Sequence, residues 1–142
     1  MYRDILIAVD LDDPDTHKKA LETAVAYAQT FGATLHVISV LPDFGLSMVG
    51  SYFPEGFESE ALEKGNQALH SFVQEHVPAG IKVQHILARG TIYREILHYA
   101  QETGCDLIVM AAHRPGLEDY LLGPNAARVV RHADCSVLVV RD

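Results

Sequence analysis

The sequence predicts a doubly wound α/β fold, a five-stranded parallel sheet with helices on both faces. Three observations carry this. Short apolar runs alternate with amphipathic stretches from one end of the 142-residue chain to the other. The runs are continuous rather than alternating apolar and polar, as strands buried on both faces require. Most links between them are short, so each strand returns through a helix to a parallel neighbour.

Taken in order, Ile5 to Val9 is the first apolar run and opens the sheet. Ala20, Leu21, Ala24, Val25 and Ala28 then recur at helical spacing, with Thr16 or Asp15 as N-cap and Gly32 as the stop. Leu35 to Leu41 is the second strand. Ala61, Leu62, Gly65, Leu69, Phe72 and Val73 form the next helical stripe, closed by Pro78-Ala79-Gly80. Val83 to Leu87 is the third strand. Thr91 caps a helix whose inner face carries Ile92, Ile96, Leu97 and Ala100, and Gly104 ends it. Leu107 to Ala111 and Val137 to Val140 are the last strands, joined through a short helix from about Asn125 to His132. Between Pro42 and Glu58 lies an irregular stretch with Phe44, Tyr52, Phe53 and Phe57 among glycines and prolines. Its length suits either a functional lid or a connection that merely packs on the helices.

Length and composition bound the function. One domain spanning residues 1–142 is expected, with enough chain for a substantial core. Hydrophobic residues make up 49% and charged residues 21%, which argues against disorder. The formal net charge of −8 argues against general binding to nucleic acid or to anionic membranes. No run of about 20 apolar residues is present to span a bilayer. The N-terminal MYRDILIAVD lacks the layout of a signal peptide, so residence in the cytosol is expected. The two cysteines, Cys105 and Cys135, each just before a strand, then read as core-edge hydrophobes rather than a redox bridge.

Ligands of doubly wound folds bind beyond the carboxyl ends of the strands, where the strand order reverses. The loops facing that point begin at Asp10 and His113. Asp10 is placed to accept hydrogen bonds from ribose hydroxyls, while Asp12, Asp13 and Asp15 suit turn and capping positions. Gly123-Pro124-Asn125 opens a helix. Pro at the first helical position is an ordinary helix start, but a helix N-terminus in this place also offers N–H donors to a phosphate. Arg114 lies in the same segment; Arg128 and Arg131 read as surface charges on the last turns of the helix. Eight histidines show no metal-ligand spacing, and His36 and His85 read as paired surface or core residues of neighbouring strands. His113 could donate to a phosphate, but no nucleophile is paired with it. GxSxG, Walker-type and GxGxxG motifs are absent, so the case for an enzyme is thin.

These residues resemble a known family. The strand end LIAVD, the link GTIYREIL and the block MAAHRPGLEDYLLGPNAARVVRHADCSVLVV are similar to bacterial universal stress proteins over the whole chain, most of all to the F/G-type single-domain branch. The resemblance implies strand order 3-2-1-4-5 and, in many members, a homodimer paired through the last strand, here Cys135 to Val140. It also implies ATP or ADP, with Mg2+ as an accompanying ion, bound through a G-x2-G-x9-G-[ST] motif. Carried over residue by residue, Asp10 meets the ribose, Ala8 and Val9 lie beside the base, Val40 gives the adenine contact, and Gly123 is the last motif glycine with the Asn125 and Ala126 amides beyond it. The implied site thus takes in Ala8, Val9, Asp10, Val40, Met110, Ala111, His113, Arg114, Gly123, Pro124, Asn125 and Ala126. The chain departs from the motif at three places. Ala111 stands for the first glycine, Arg114 for the second in a loop one residue shorter, and Pro124 for the Ser/Thr. Pro124 removes a hydroxyl and an N–H donor. Arg114 can offset part of that loss through a charge-assisted contact.

Three readings follow. The first is a cytosolic stress-response protein that binds ATP or ADP as a regulatory ligand. The second is an interaction module without nucleotide, which meets an unknown protein partner through its dimer and aromatic stretch. The third is slow ATP hydrolysis or self-phosphorylation, for which no catalytic constellation is present.

Overall fold

The computed structural model describes residues 1–41, 56–112 and 123–141. Its elements run β1 (Asp4–Ala8), a 3-10 turn (Pro14–His17), α1 (Lys18–Phe31), β2 (Thr34–Leu41), α2 (Phe57–His76), β3 (Val83–Arg89), α3 (Ile92–Glu102), β4 (Leu107–Ala111), α4 (Pro124–His132) and β5 (Ser136–Val140). The strands form one parallel sheet in the order β3-β2-β1-β4-β5, as expected. Of the irregular stretch expected from Pro42 to Glu58, residues 42–55 lie outside the described residues, while Phe57 and Glu58 belong to α2 instead.

The reason for the parallel sheet is visible in β1. Ile5, Leu6 and Ile7 are all fully buried, although successive side chains of a strand point to opposite faces. Ile5 and Ile7 pack with Leu21, Ala24 and Ala28 of α1 and Leu69 and Val73 of α2. Leu6 packs with Ile96 and Ala100 of α3 and Ala126 and Val129 of α4. One strand therefore feeds two cores, and each core has its own pair of helices.

Polar groups fix the amino end of this strand. The Asp106 carboxylate accepts from the backbone N–H groups of Arg3 at 3.0 Å and Asp4 at 3.1 Å, and Asp106 N–H returns a bond to the Asp4 carbonyl. On the other side, Asp4 Oδ1 lies 2.9 Å from Nε2 of the buried His36 on β2. His36 does not pair with His85. The register sets His36 opposite Gln84, one residue out of step, so the two rings face opposite sides of the sheet. His85 instead stacks on His70 of α2, with ring centroids 3.8 Å apart.

One helix start and one inner-face assignment differ from the sequence reading. Pro14 starts a 3-10 turn, so α1 begins at Lys18 with His17 in the capping position. Thr16 spends its hydroxyl on Asp13 Oδ2 at 2.6 Å instead of capping the helix. Ile92, the first residue of α3, is 44% exposed instead of lying on the inner face. At the far end of α1, Gly32 has φ +66, the left-handed conformation that ends helices. Both cysteines are free thiols, as the core-edge reading expects. Burial pushes the Cys105 thiol up to about 11, against the opposing hydrogen bond from Thr103. Among the described residues no helix is long and apolar enough to cross a membrane.

Gly65 lets α2 approach the sheet closely. A Cβ there would lie 2.9 Å from Leu87 Cδ2 and 3.3 Å from Leu41 Cδ1. A methyl group needs only a small shift of those leucine ends, and alanine returns about 1 kcal/mol of helix propensity. Gly65→Ala is expected within about 1 kcal/mol of wild type, whereas Gly65→Val should cost about 1–3 kcal/mol through overpacking, read by urea denaturation. The stacked imidazoles give a pH dependence. Burial, then the neighbouring His70, hold the His85 pKa below 6.5, so the unfolded chain binds more protons in that range. Stability from this pair is complete above about pH 6.5 and falls on acidification through the lowered folded value. Denaturation midpoints between pH 7.5 and pH 5.5 should show a smaller drop in His85→Gln than in wild type, and an equal drop would remove the assignment.

Candidate functional site

The chain runs from β1 to β2 and β3 on one side of the sheet, then crosses back to β4 and β5 on the other. Connections therefore leave the carboxyl ends of β1 and β4 in opposite directions and open a crevice between them. The crevice is a cleft of about 450 Å³, built from the ends of three strands and the beginnings of two helices. β1 and the residues after it supply Ala8, Val9 and Asp10; β2 supplies Ile38 and Val40; β4 supplies Met110 and Ala111. Gly123, Asn125 and Ala126 close it from the start of α4.

Nine of the residues expected at the site thus line one cleft. Pro124 is exposed and does not line it, while His113 and Arg114 lie outside the described residues. Gly123 has extended backbone angles of φ −67 and ψ 163, so no left-handed turn is needed there. It is buried, and its carbonyl accepts the first helical bond, from Ala127 N–H at 3.0 Å. The N–H groups of Asn125 and Ala126 precede that bond and have no partner within the helix. Pro124 has none to offer. The donors at this wall therefore come from residues 125 and 126, with the positive end of the helix dipole behind them.

The residues after β1 make part of the lining acidic. Asp10 Oδ1 accepts from Asp12 N–H at 2.9 Å, an Asx turn that holds the carboxylate at the end of β1. Asp12 and Asp13 follow in the same wall. Sequence reasoning placed these two in a turn, which is right, but missed that the turn borders the cleft. It also missed Thr16, His17, Ile38, Ile92 and Ile96. The signal available was Pro14, which makes the following residues wind back toward β4 before α1 begins.

His17 is a titratable group of the cleft whose pKa the arrangement moves. Its Nδ1 is sealed from solvent and has no hydrogen-bond partner among the described residues. Burial lowers its pKa below 6.5, and the Asp10 and Asp13 carboxylates partly oppose that shift. Desolvation wins, so the ring is neutral at pH 7. Among the described residues, the lining of the cleft therefore combines a neutral imidazole and three aspartates with the uncharged N–H donors at the start of α4. Among the described residues, no group of three or more His, Cys, Asp or Glu side chains could hold a metal ion.

Comparison with known proteins gives a consistent result. The model of the universal stress protein family matches residues 1–141. Universal stress protein G of Escherichia coli O157:H7 is 33% identical over 147 aligned positions, covering 99% of this chain and 100% of that protein. The solved structure of MJ0577 is 26% identical, covers 100% of this chain and 97% of its own, and superposes with a TM-score of 0.79. A universal stress protein from Archaeoglobus fulgidus in complex with dAMP shares the fold, at 21% identity, 97% coverage of both chains and a TM-score of 0.64. The chain belongs to the universal stress protein family.

The balance of forces on His17 can be tested directly. NMR titration of the imidazole should give a midpoint below 6.5. Asp13→Asn removes a carboxylate that favours the charged ring, so the midpoint should move further down. An upward movement would show that the carboxylates do not face this histidine.

Proposed function

We propose that the protein is a cytosolic stress-response protein that binds ATP or ADP in this cleft as a regulatory ligand, the whole chain acting as one nucleotide-binding unit. The observation that carries the reading is the pairing of two features in one crevice. Asn125 and Ala126, whose N–H groups have no partner within the helix, line the same cleft that Asp10 borders. Phosphates suit the first and a ribose diol suits the second. In this reading Ala8, Val9 and the Val40 backbone hold adenine, and Asp10 accepts from the ribose. Met110, Ala111, Gly123, Asn125 and Ala126 surround the phosphates. His113 and Arg114 contribute donors from the loop after β4, while Pro124 fixes the helix start without donating. Mg2+ would arrive on the phosphates. That a relative of the same fold is known in complex with dAMP supports an adenine nucleotide as the ligand class.

The reading includes a homodimer paired through β5, the strand at one edge of the sheet. It assigns no catalytic residue. A second reading rests on Pro124, which takes a donor out of the phosphate wall: an interaction module that no longer holds nucleotide and meets a protein partner.

Calorimetry with Mg2+·ATP, together with native mass spectrometry for occupancy and stoichiometry, separates the two. Under the first reading ATP binds wild type, and Asp10→Ala weakens it roughly tenfold or more by removing a charged acceptor. Pro124→Ser should strengthen binding by about 10- to 150-fold, the worth of one hydrogen bond to a charged group. No heat at millimolar ATP in wild type would sink the first reading, and binding gained only in Pro124→Ser would establish the second.

A further inference from the structure

The lining of the cleft includes an apolar sector to which α3 contributes as well as the strands. Ile38 and Val40 of β2, Ile92 and Ile96 of α3 and Met110 of β4 belong to it. Ile38, Ile96 and Met110 are buried members of the core that the sheet shares with α3 and α4, and Val40 packs against that core. Ile92 differs from the others. It stands one helical turn before Ile96, on the same face of α3, yet it is half-exposed while Ile96 is fully buried.

The backbone fixes this position. β3 ends at Arg89 and α3 begins at Ile92. Between them Gly90 has φ +133, a conformation that side-chain-bearing residues rarely adopt, and its N–H donates to the Leu41 carbonyl at 3.0 Å. The turn is thereby tied to the end of β2, one residue beyond Val40. A β-branched side chain on a helix is also stiff, so Ile92 presents a pre-set surface to the cleft. A single exposed isoleucine on a protein surface is ordinary. One that extends a buried apolar face into a ligand cleft leaves area for a bound apolar group to cover. The base is the uncharged, planar part of a nucleotide. The aspartates and N–H donors in the same lining suit its ribose and phosphates instead.

We propose that Ile92 is a specificity-determining residue of the cleft: with Val40 it packs on the base of the bound nucleotide, and it makes the site select ligands that carry an aromatic base over a bare sugar phosphate. This rests on the reading of the cleft as a nucleotide site. It adds to that reading a contact from α3, and it separates the affinity for the base from the affinity for the phosphates. Covering the exposed half of an isoleucine with a ring changes affinity about tenfold.

Calorimetry on the full chain compares Mg2+·ATP with Mg2+·ribose 5-triphosphate, which lacks the base. Wild type should bind ATP more tightly than ribose 5-triphosphate. Ile92→Ala should weaken ATP about tenfold and leave ribose 5-triphosphate within about twofold, narrowing the gap between the two ligands. Ile92→Leu keeps the apolar volume and should hold ATP within about threefold of wild type. The thermal midpoint without ligand should stay within about 2 °C in both variants, because Ile92 is half-exposed. ATP binding unchanged in Ile92→Ala, an equal loss for both ligands, or an equal loss in Ile92→Leu would overturn the proposal and leave the nucleotide reading standing. Absence of ATP binding by wild type would overturn both.

Discussion

Everything in this fold depends on β1 being buried on four sides at once. Its side chains fill a core above the sheet and another below it, and both backbone edges are hydrogen-bonded, to β2 and to β4. Each of Ile5, Leu6 and Ile7 contributes about 1.5–3 kcal/mol from burial, but their geometrical role is larger than that. A strand without an exposed face or edge can only be the place from which the chain builds outward in both directions. The reversal of strand order beside β1 is the result, and the reversal opens the cleft. Asp10 borders that cleft because it follows directly from the most constrained strand in the molecule.

The charges of the chain are sorted by this architecture. Carboxylates gather on the wall after β1, and neutral amide donors gather at the start of α4. The arginines of α3 and α4 lie outside, on the helix faces, where Tyr93 holds two of them. A net charge of −8 describes the whole chain but neither of these surfaces.

The strands and helices were legible because apolar runs and helical stripes report burial, and burial here is nearly complete in the central strands. Strand boundaries agree to within one or two residues: β3 continues to Arg89 since its ladder with β2 extends to Leu41. What the pattern could not show was the 3-10 turn from Pro14, because Thr16 and Asp13 satisfy each other locally and imitate a cap. The acidic wall was read as a turn for the same reason. Ile92 was assigned to the inner helix face on its spacing, yet this first residue of α3 is half-exposed and lines the cleft. Spacing could not show that Arg128 of α4 reaches the ring of Tyr93 on α3, since only the packing of the two helices brings them together.

The carboxylate of Asp106 has a consequence for how the molecule comes into being. It binds the backbone of Arg3, 103 residues earlier, and β4 begins immediately after it. During synthesis the first strand therefore emerges with its inner edge unmatched, and only β2 can pair with it until the ribosome has produced most of the chain. Long-range pairing of this kind is slow and leaves apolar strands open to wrong partners. The open edge of β1 is closed only when β4 arrives, and β5 then adds the outer edge beside β4.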